Sequence, residues 1–221
     1  MNIVDIWDKV FQDQDWGKYP AESLIRFTAK NFYQKDREKI NILEVGCGPG
    51  PNVRYFAREG FNAYGVDISS IAITKGKKIL KEEGLSADLL VGNIEKIPYP
   101  GSFFDGIIDN ECLCCNSLEN TKKILDEIKR VMKTGGLFYS RTFTNDMHTG
   151  RTQTKISDFE YDEISDGPFA NKGFTRLIDG DGIKKLYGQF FHIVSIDRLI
   201  ATTNNQETVI SEWIIVCQKQ E

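Results

Sequence analysis

No uninterrupted apolar run approaches the roughly 18 residues that a membrane span requires, so no segment is expected to cross a bilayer and no membrane partner is expected. Basic charge is also short. Lysine and arginine number 28 against 32 aspartates and glutamates, for a net charge of −4 and a pI near 5.4. Proteins that grip phosphate backbones usually carry a basic stripe. The nearest thing, the lysines between 75 and 81, is diluted by Glu82 and Glu83, and nucleic acid is not expected as a partner. Histidine is scarce, with only His148 and His192. The five cysteines are odd in number, and Cys112, Cys114 and Cys115 are bunched. That is no disulfide framework. The first residues, MNIVDIWDKVFQDQDW, lack the basic start and long apolar core of a signal peptide. A reducing cytoplasm is the expected setting.

What is present is enough for a packed core. The 221 residues are 40% hydrophobic and 27% charged, the balance of an ordered globular domain. Short apolar runs at 39–45, 61–66, 88–91, 103–109 and 137–143 alternate with amphipathic stretches at 52–59, 69–83 and 118–132. Gly60 and Gly84 close two of those stretches and Ser69 is placed to cap the second. The sequence 133–136 (KTGG) is expected to close the third. Strand–helix alternation with short joints predicts a parallel sheet covered on both faces. Beyond Phe143 the pattern changes. Residues 145–174 are polar and weakly periodic, and a loop of that length is expected to be a lid or binding segment. A helix at 179–186 and strands at 190–199 and 208–218 follow, the two strands spaced to pair antiparallel. The expected organisation is one domain, 1–221. Within it lie a helical cap (1–38), a ligand-binding core (39–144), a lid (145–178) and a C-terminal helix and hairpin (179–221).

The joint after the first strand, EVGCGPGP, holds Gly46, Gly48 and Gly50. In an open parallel sheet ligands sit beyond the carboxyl ends of the strands, and the first strand–helix joint is the usual place. Glycines there let main chain lie against a ligand. Asp67 ends the second strand about 20 residues on, where a carboxylate can accept from a ribose diol. The two features together predict a nucleoside bound across strand ends. A dinucleotide fingerprint would put a third glycine at position 51, which is proline and has no N–H to offer an anion.

The runs ILEVGCGPG, GVDIS, VGNIEKIPYPGSFFDGIIDN and IKRVMKTGGLF, in that order, resemble the class I S-adenosylmethionine-dependent methyltransferases, over about half of the chain. The resemblance implies a Rossmann-like, doubly wound, seven-stranded, mostly parallel α/β sheet ending in an antiparallel hairpin, with S-adenosylmethionine as cofactor. It implies that the turn over 46–50, Cys47 included, packs against the methionine part and adenosine, and that Glu44 binds the methionine amino group. Asp67 would take the ribose hydroxyls and Ile68 would lie beside the adenine. Asn93 and Ile94 would cover the adenine edge, with Asn93 standing where the family often has Asp. Asn110 would offer its main-chain carbonyl to the methionine amino group.

The acceptor is expected to be a small molecule, with Trp16, Tyr19, His148 and Phe169 as candidate contacts. His148 is also the one candidate general base. Phe169, in SDGPFANKG, is expected as an aromatic presented by a hinged loop. The cysteine cluster reads as packing, since its spacing is not that of a zinc site, and no metal is assigned. A nicotinamide oxidoreductase, a protein- or RNA-directed methyltransferase and a non-catalytic nucleoside-binding protein remain as alternatives.

Overall fold

The computed structural model describes residues 3–14, 16–150, 152–170 and 172–221. Positions 1, 2 and 15 of the expected cap and 151 and 171 of the expected lid lie outside the described residues. The cap region holds two helices, α1 (Ile3–Asp13) and α2 (Glu22–Phe32). Then come β1 (Asn41–Val45), α3 (Pro51–Arg58), β2 (Asn62–Asp67), α4 (Ser70–Glu82), β3 (Asp88–Val91), β4 (Phe104–Asn110), α5 (Leu118–Val131) and β5 (Met132–Phe143). Helix α6 (Gly180–Tyr187) follows later, and between β5 and α6 lie three short strands, β6 (Thr154–Lys155), β7 (Glu160–Asp162) and β8 (Thr175–Arg176). Two long strands, β9 (His192–Thr203) and β10 (Thr208–Gln218), close it. Side-chain caps start three of the helices. Ser69 accepts from Ala72 N at 3.1 Å, Ser117 from Asn120 N at 3.2 Å and Asp179 from Gly182 N at 2.7 Å.

The main sheet runs β3-β2-β1-β4-β5-β10-β9. Its first five strands are parallel, and β10 pairs antiparallel with both β5 and β9. This is the Rossmann-like seven-stranded order with a terminal hairpin. Alternation along the strands builds two cores. Leu43, Ile107, Phe138 and Ile215 face Ile124 and Ile128 of α5 and Leu186 of α6. Their neighbours Ile42, Ile108, Tyr139 and Ile214 face Leu24 of α2, Val53 of α3 and Ile73 of α4. Strand order reverses between β1 and β4, which leaves a crevice at their carboxyl ends.

Two expectations are corrected. Residues 133–136 belong to the first part of β5 rather than to a turn after α5. The segment after β5 is not a bare loop. It folds into a second antiparallel sheet, β6-β7-β8, over a small core of Phe143, Met147, Ile164, Phe169 and Leu177. Strands of two or three residues are too short to leave a period-2 signature in sequence.

Helix α4 approaches the turn after β1 closely at Gly76. A Cβ there would lie 2.8 Å from Leu89 Cδ1 and 2.9 Å from the carbonyl oxygen of Pro49. Alanine gains about 1 kcal/mol of helix propensity over glycine, but overpacking against backbone costs about 1–3 kcal/mol. Gly76→Ala is therefore expected to lower the urea midpoint. A raised midpoint would mean that α4 is free to move away from the turn.

Candidate functional site

The crevice opens into a cavity of about 890 Å³. Glu44, Gly46, Cys47, Gly48, Asp67, Ile68, Asn93, Ile94 and Asn110 line one part of it. Trp16, Tyr19 and Phe169 line it from the cap and the inserted segment. Gly50 and His148 are not on its wall. Gly50 instead takes the left-handed conformation that starts α3, and its missing Cβ faces Val53 and Leu89.

The turn after β1 is shaped by what surrounds it. Gly46 N and Cys47 N both donate to Val66 O, at 2.8 and 3.2 Å. Gly46 has φ +64°, and a Cβ there would collide with the Cys112 side chain. Gly48, at φ +53°, would set a Cβ 3.0 Å from the Phe11 ring. Asp67 ties this turn to the next one. Its Oδ2 accepts from Gly48 N at 2.7 Å and its Oδ1 from Ser69 N at 2.8 Å. Burial pushes its carboxyl upward, and the two backbone bonds oppose that. Asp67 is thus a brace as well as a wall residue, so its removal costs stability too.

Glu44 is 3% exposed. Its Oε1 accepts from Asn52 Nδ2 at 2.6 Å, while its Oε2 is buried with no partner among the described residues. Burial pushes its carboxyl up to about 8, with the Asn52 bond opposing and Asp67 and Asp109 adding repulsion. Asn93 spends its side-chain oxygen on Glu95 N, at 2.9 Å, in a turn. Asn110 Oδ1 is buried and unpaired.

Sequence reasoning missed three residues. Asp109, fully buried, accepts from Cys112 N and Leu113 N at 2.9 and 3.0 Å and from Ser140 Oγ at 2.6 Å. It pins the turn after β4, and burial pushes its carboxyl up to about 6. Glu111 and Arg141 both line the cavity. Arg141 Nη1 lies 3.2 Å from Glu111 Oε1, and its Nη2 donates to Glu212 Oε2 at 2.6 Å. No spacing rule joins 111, 141 and 212; only the β4–β5–β10 pairing brings them together.

His148 Nε2 sits 2.9 Å from Asp166 Oδ2. It lies off the cavity wall and is engaged there, so the structure does not bring it together with the other candidate contacts. Phe169 is 4% exposed and packs edge-on against Phe143, with centroids 4.8 Å apart. It is a core residue with one face on the cavity, not an aromatic held out by a loop. Trp16 packs edge-on against Phe11 at 5.0 Å and lies under Lys172 Nζ at 5.4 Å. Tyr19 is 78% exposed at the rim. Cys112 and Cys115 reach the wall and Cys114 is fully buried. Burial pushes the Cys112 thiol well up, and a hydrogen bond with Cys114 together with burial does the same for Cys115. Both are poor thiolates. Among the described residues no group of three His, Cys, Asp or Glu side chains could hold a metal ion.

The raised carboxyl of Glu44 has a stability consequence. An acid with a higher pKa folded than unfolded binds its proton more tightly in the native state. Its contribution is fully present below the unfolded value of 4.5 and is lost as pH rises through about 8. Asp109 and Glu111, both pushed up by burial, act in the same sense. The melting temperature of the ligand-free protein is expected to fall between about pH 5 and pH 8.5 in scanning calorimetry. Glu44→Gln should flatten that slope. A melting temperature that rises over this range would contradict the unpaired burial of Glu44.

A methyltransferase-domain family model matches residues 43–140. The chain is 29% identical over 140 residues to the sarcosine/dimethylglycine N-methyltransferase of Aphanothece halophytica, covering 62% of this chain and 49% of that one. It is 27% identical over 199 residues to the sterol 24-C-methyltransferase of Eremothecium gossypii, covering 77% and 53%. The chain therefore spans about half the length of these two relatives. A solved structure described as a SAM-dependent methyltransferase of Methanosarcina mazei has the same fold, with a TM-score of 0.70 at 21% identity over 83% of this chain and 94% of that one. With the sheet order, the glycine turn and Asp67 at the end of β2, these matches make the chain similar to the class I S-adenosylmethionine-dependent methyltransferases and support S-adenosylmethionine as its cofactor.

Proposed function

We propose that this chain transfers a methyl group from S-adenosylmethionine to a small-molecule acceptor held in the same cavity. The observation that carries the reading is Glu44 Oε2, a buried carboxylate oxygen without a donor at the crevice between β1 and β4. A buried unpaired acceptor costs about 1–3 kcal/mol, and the ammonium of the methionine part supplies the missing N–H. Asp67 keeps lone pairs for the ribose hydroxyls beyond the two backbone bonds it accepts. Ile68, Asn93 and Ile94 offer a wall for the adenine, and the turn at 46–48 a surface without side-chain bulk.

When bound, the sulfonium supplies a methyl carbon open to in-line displacement. The chain's own work is then orientation and exclusion of water. Holding two reactants in line is worth roughly 7–11 kcal/mol of barrier. The donor side of the cavity belongs to the core at 39–144. The acceptor side is roofed by Trp7 and Phe11 of α1, by Trp16, and by Phe169, Lys172 and Phe174 of the inserted segment, which supports the lid reading of 145–178. A small molecule suits an apolar roof and a net charge of −4 better than nucleic acid does. The two named relatives carry small-molecule acceptors in their names. Among the described residues no helix is long and apolar enough to cross a membrane.

Calorimetric titration with S-adenosylmethionine, S-adenosylhomocysteine, NAD and NADP tests the reading. The first two are expected to bind and the nicotinamide nucleotides not to. Asp67→Ala is expected to weaken S-adenosylmethionine ten- to a hundredfold, since charge-assisted hydrogen bonds contribute about 1.5–3 kcal/mol each. Its melting temperature should fall as well, through loss of the brace. An unchanged dissociation constant would remove Asp67 from the donor site, and preference for a nicotinamide nucleotide would overturn the assignment.

A further inference from the structure

We propose that the acceptor is an amine, that its ammonium group seats against Glu111, and that Glu111 takes the proton the nitrogen must lose before transfer. This rests on the methyl-transfer reading above and adds to it the chemical class of the acceptor.

The charges on the wall carry the inference. Among the described residues the cavity is lined by four acidic side chains, Glu44, Asp67, Glu95 and Glu111, and by two basic ones, Arg141 and Lys172. Glu44 and Asp67 are committed to the donor. Arg141 is shared between two carboxylates, Glu111 at 3.2 Å and Glu212 at 2.6 Å. Two carboxyl groups thus share one guanidinium, and Glu212 is closed off, with its side chain 4% exposed. Glu111 is the member that faces the cavity, with its side chain 28% exposed. Both terminal nitrogens of Arg141 already face a carboxylate, and the other cation on the wall, Lys172, lies over the Trp16 ring. Next to Glu111, Asn110 lines the same cavity with its Oδ1 buried and unpaired, so an ammonium with three N–H donors would find a second acceptor there.

The backbone adds an independent mark. Glu111 has φ +66°, a left-handed conformation uncommon for a side chain of this size. It is held by Asp109, which fixes the next two backbone N–H groups, and by Glu111 N donating to Arg141 O at 2.9 Å. The chain bends unfavourably here, and the carboxylate is delivered to the cavity. Burial and the neighbouring Glu212 and Asp109 push the Glu111 carboxyl up to about 7, against the pull of Arg141. A group in that range can accept a proton near neutral pH. The aromatic roof suits the body of such an amine and the cation itself.

The proton and electron count closes. An acceptor R–NH₃⁺ gives one proton to the Glu111 carboxylate and becomes R–NH₂. Its lone pair forms the new N–C bond while the methyl C–S bond breaks and its electron pair stays on sulfur. The products are R–NH₂⁺–CH₃, a neutral thioether and protonated Glu111, which then loses its proton to solvent.

The test uses the full chain loaded with S-adenosylhomocysteine, titrated with 2-phenylethylamine and tryptamine and with their isosteric alcohols, 2-phenylethanol and tryptophol. Each amine is expected to bind at least about tenfold tighter than its alcohol, the scale of one charge-assisted hydrogen bond. Glu111→Gln should bring amine and alcohol within about twofold while S-adenosylhomocysteine affinity stays within about threefold. If that variant does not fold, the wild-type comparison decides alone. Equal binding of amine and alcohol, or no binding of either amine to the loaded protein, overturns the amine assignment and leaves the donor site standing. So does a folded Glu111→Gln variant that keeps the amine preference. Failure of the wild-type protein to bind S-adenosylhomocysteine at all overturns the methyl-transfer reading itself.

Discussion

Four carboxylates crowd the carboxyl edge of the parallel sheet, and the rest of the site follows from how their burial is managed. Glu44, Asp67, Asp109 and Glu111 stand at or just past the ends of β1, β2 and β4. Removing such charges from water is costly unless donors replace the water. Asp67 is met by one backbone N–H from the turn after β1 and one from the turn after β2, and Asp109 by two from the turn after β4. Those bonds neutralise local cost and at the same time fix the turns that wall the crevice. Glu44 receives one side-chain amide and keeps one oxygen unpaired. Glu111 shares its arginine. The same constraint that shapes the loops therefore leaves acceptor capacity in two places, which the proposed reading gives one to each reactant.

Much of this architecture was legible in the chain. Runs such as 41–45 and 104–110 are apolar on both faces because helices cover both sides of a parallel sheet, and such runs stand out. The glycines at 46 and 48 and the aspartate at 67 are close in sequence to the strands they terminate, so spacing finds them. The Ser69 cap acts within three residues, a range over which sequence and structure say the same thing.

What was not legible depends on long-range pairing. Glu111, Arg141 and Glu212 meet because β4, β5 and β10 are neighbours, a fact of sheet order rather than of spacing. Asp109 reads as an ordinary strand-end aspartate until Ser140 and the turn N–H groups are placed around it. The inserted sheet was hidden by strands too short to alternate. Phe169 shows the same limit of local sequence. Glycine and proline around it suggest a hinge, yet burial against Phe143 decides its role. His148 stands at the start of the inserted segment, and position along the chain carries no geometry.

The two sides of the cavity draw on different parts of the chain. The donor wall, from Glu44 to Asn110, lies wholly inside the stretch matched by the family model, residues 43–140. Its roof comes from α1, Trp16 and the inserted segment, all outside that stretch. Glu111 stands at the seam. It is one residue beyond β4, inside the shared region, while its partners Arg141 and Glu212 lie beyond the matched end. A family can keep the donor wall constant because one cofactor demands one set of contacts, and can vary the roof with each acceptor. In this chain the arginine that would otherwise neutralise Glu111 is divided by Glu212, a residue supplied by the last strand of the sheet. On the proposed reading, acceptor chemistry then answers to the C-terminal hairpin as much as to the roof above it.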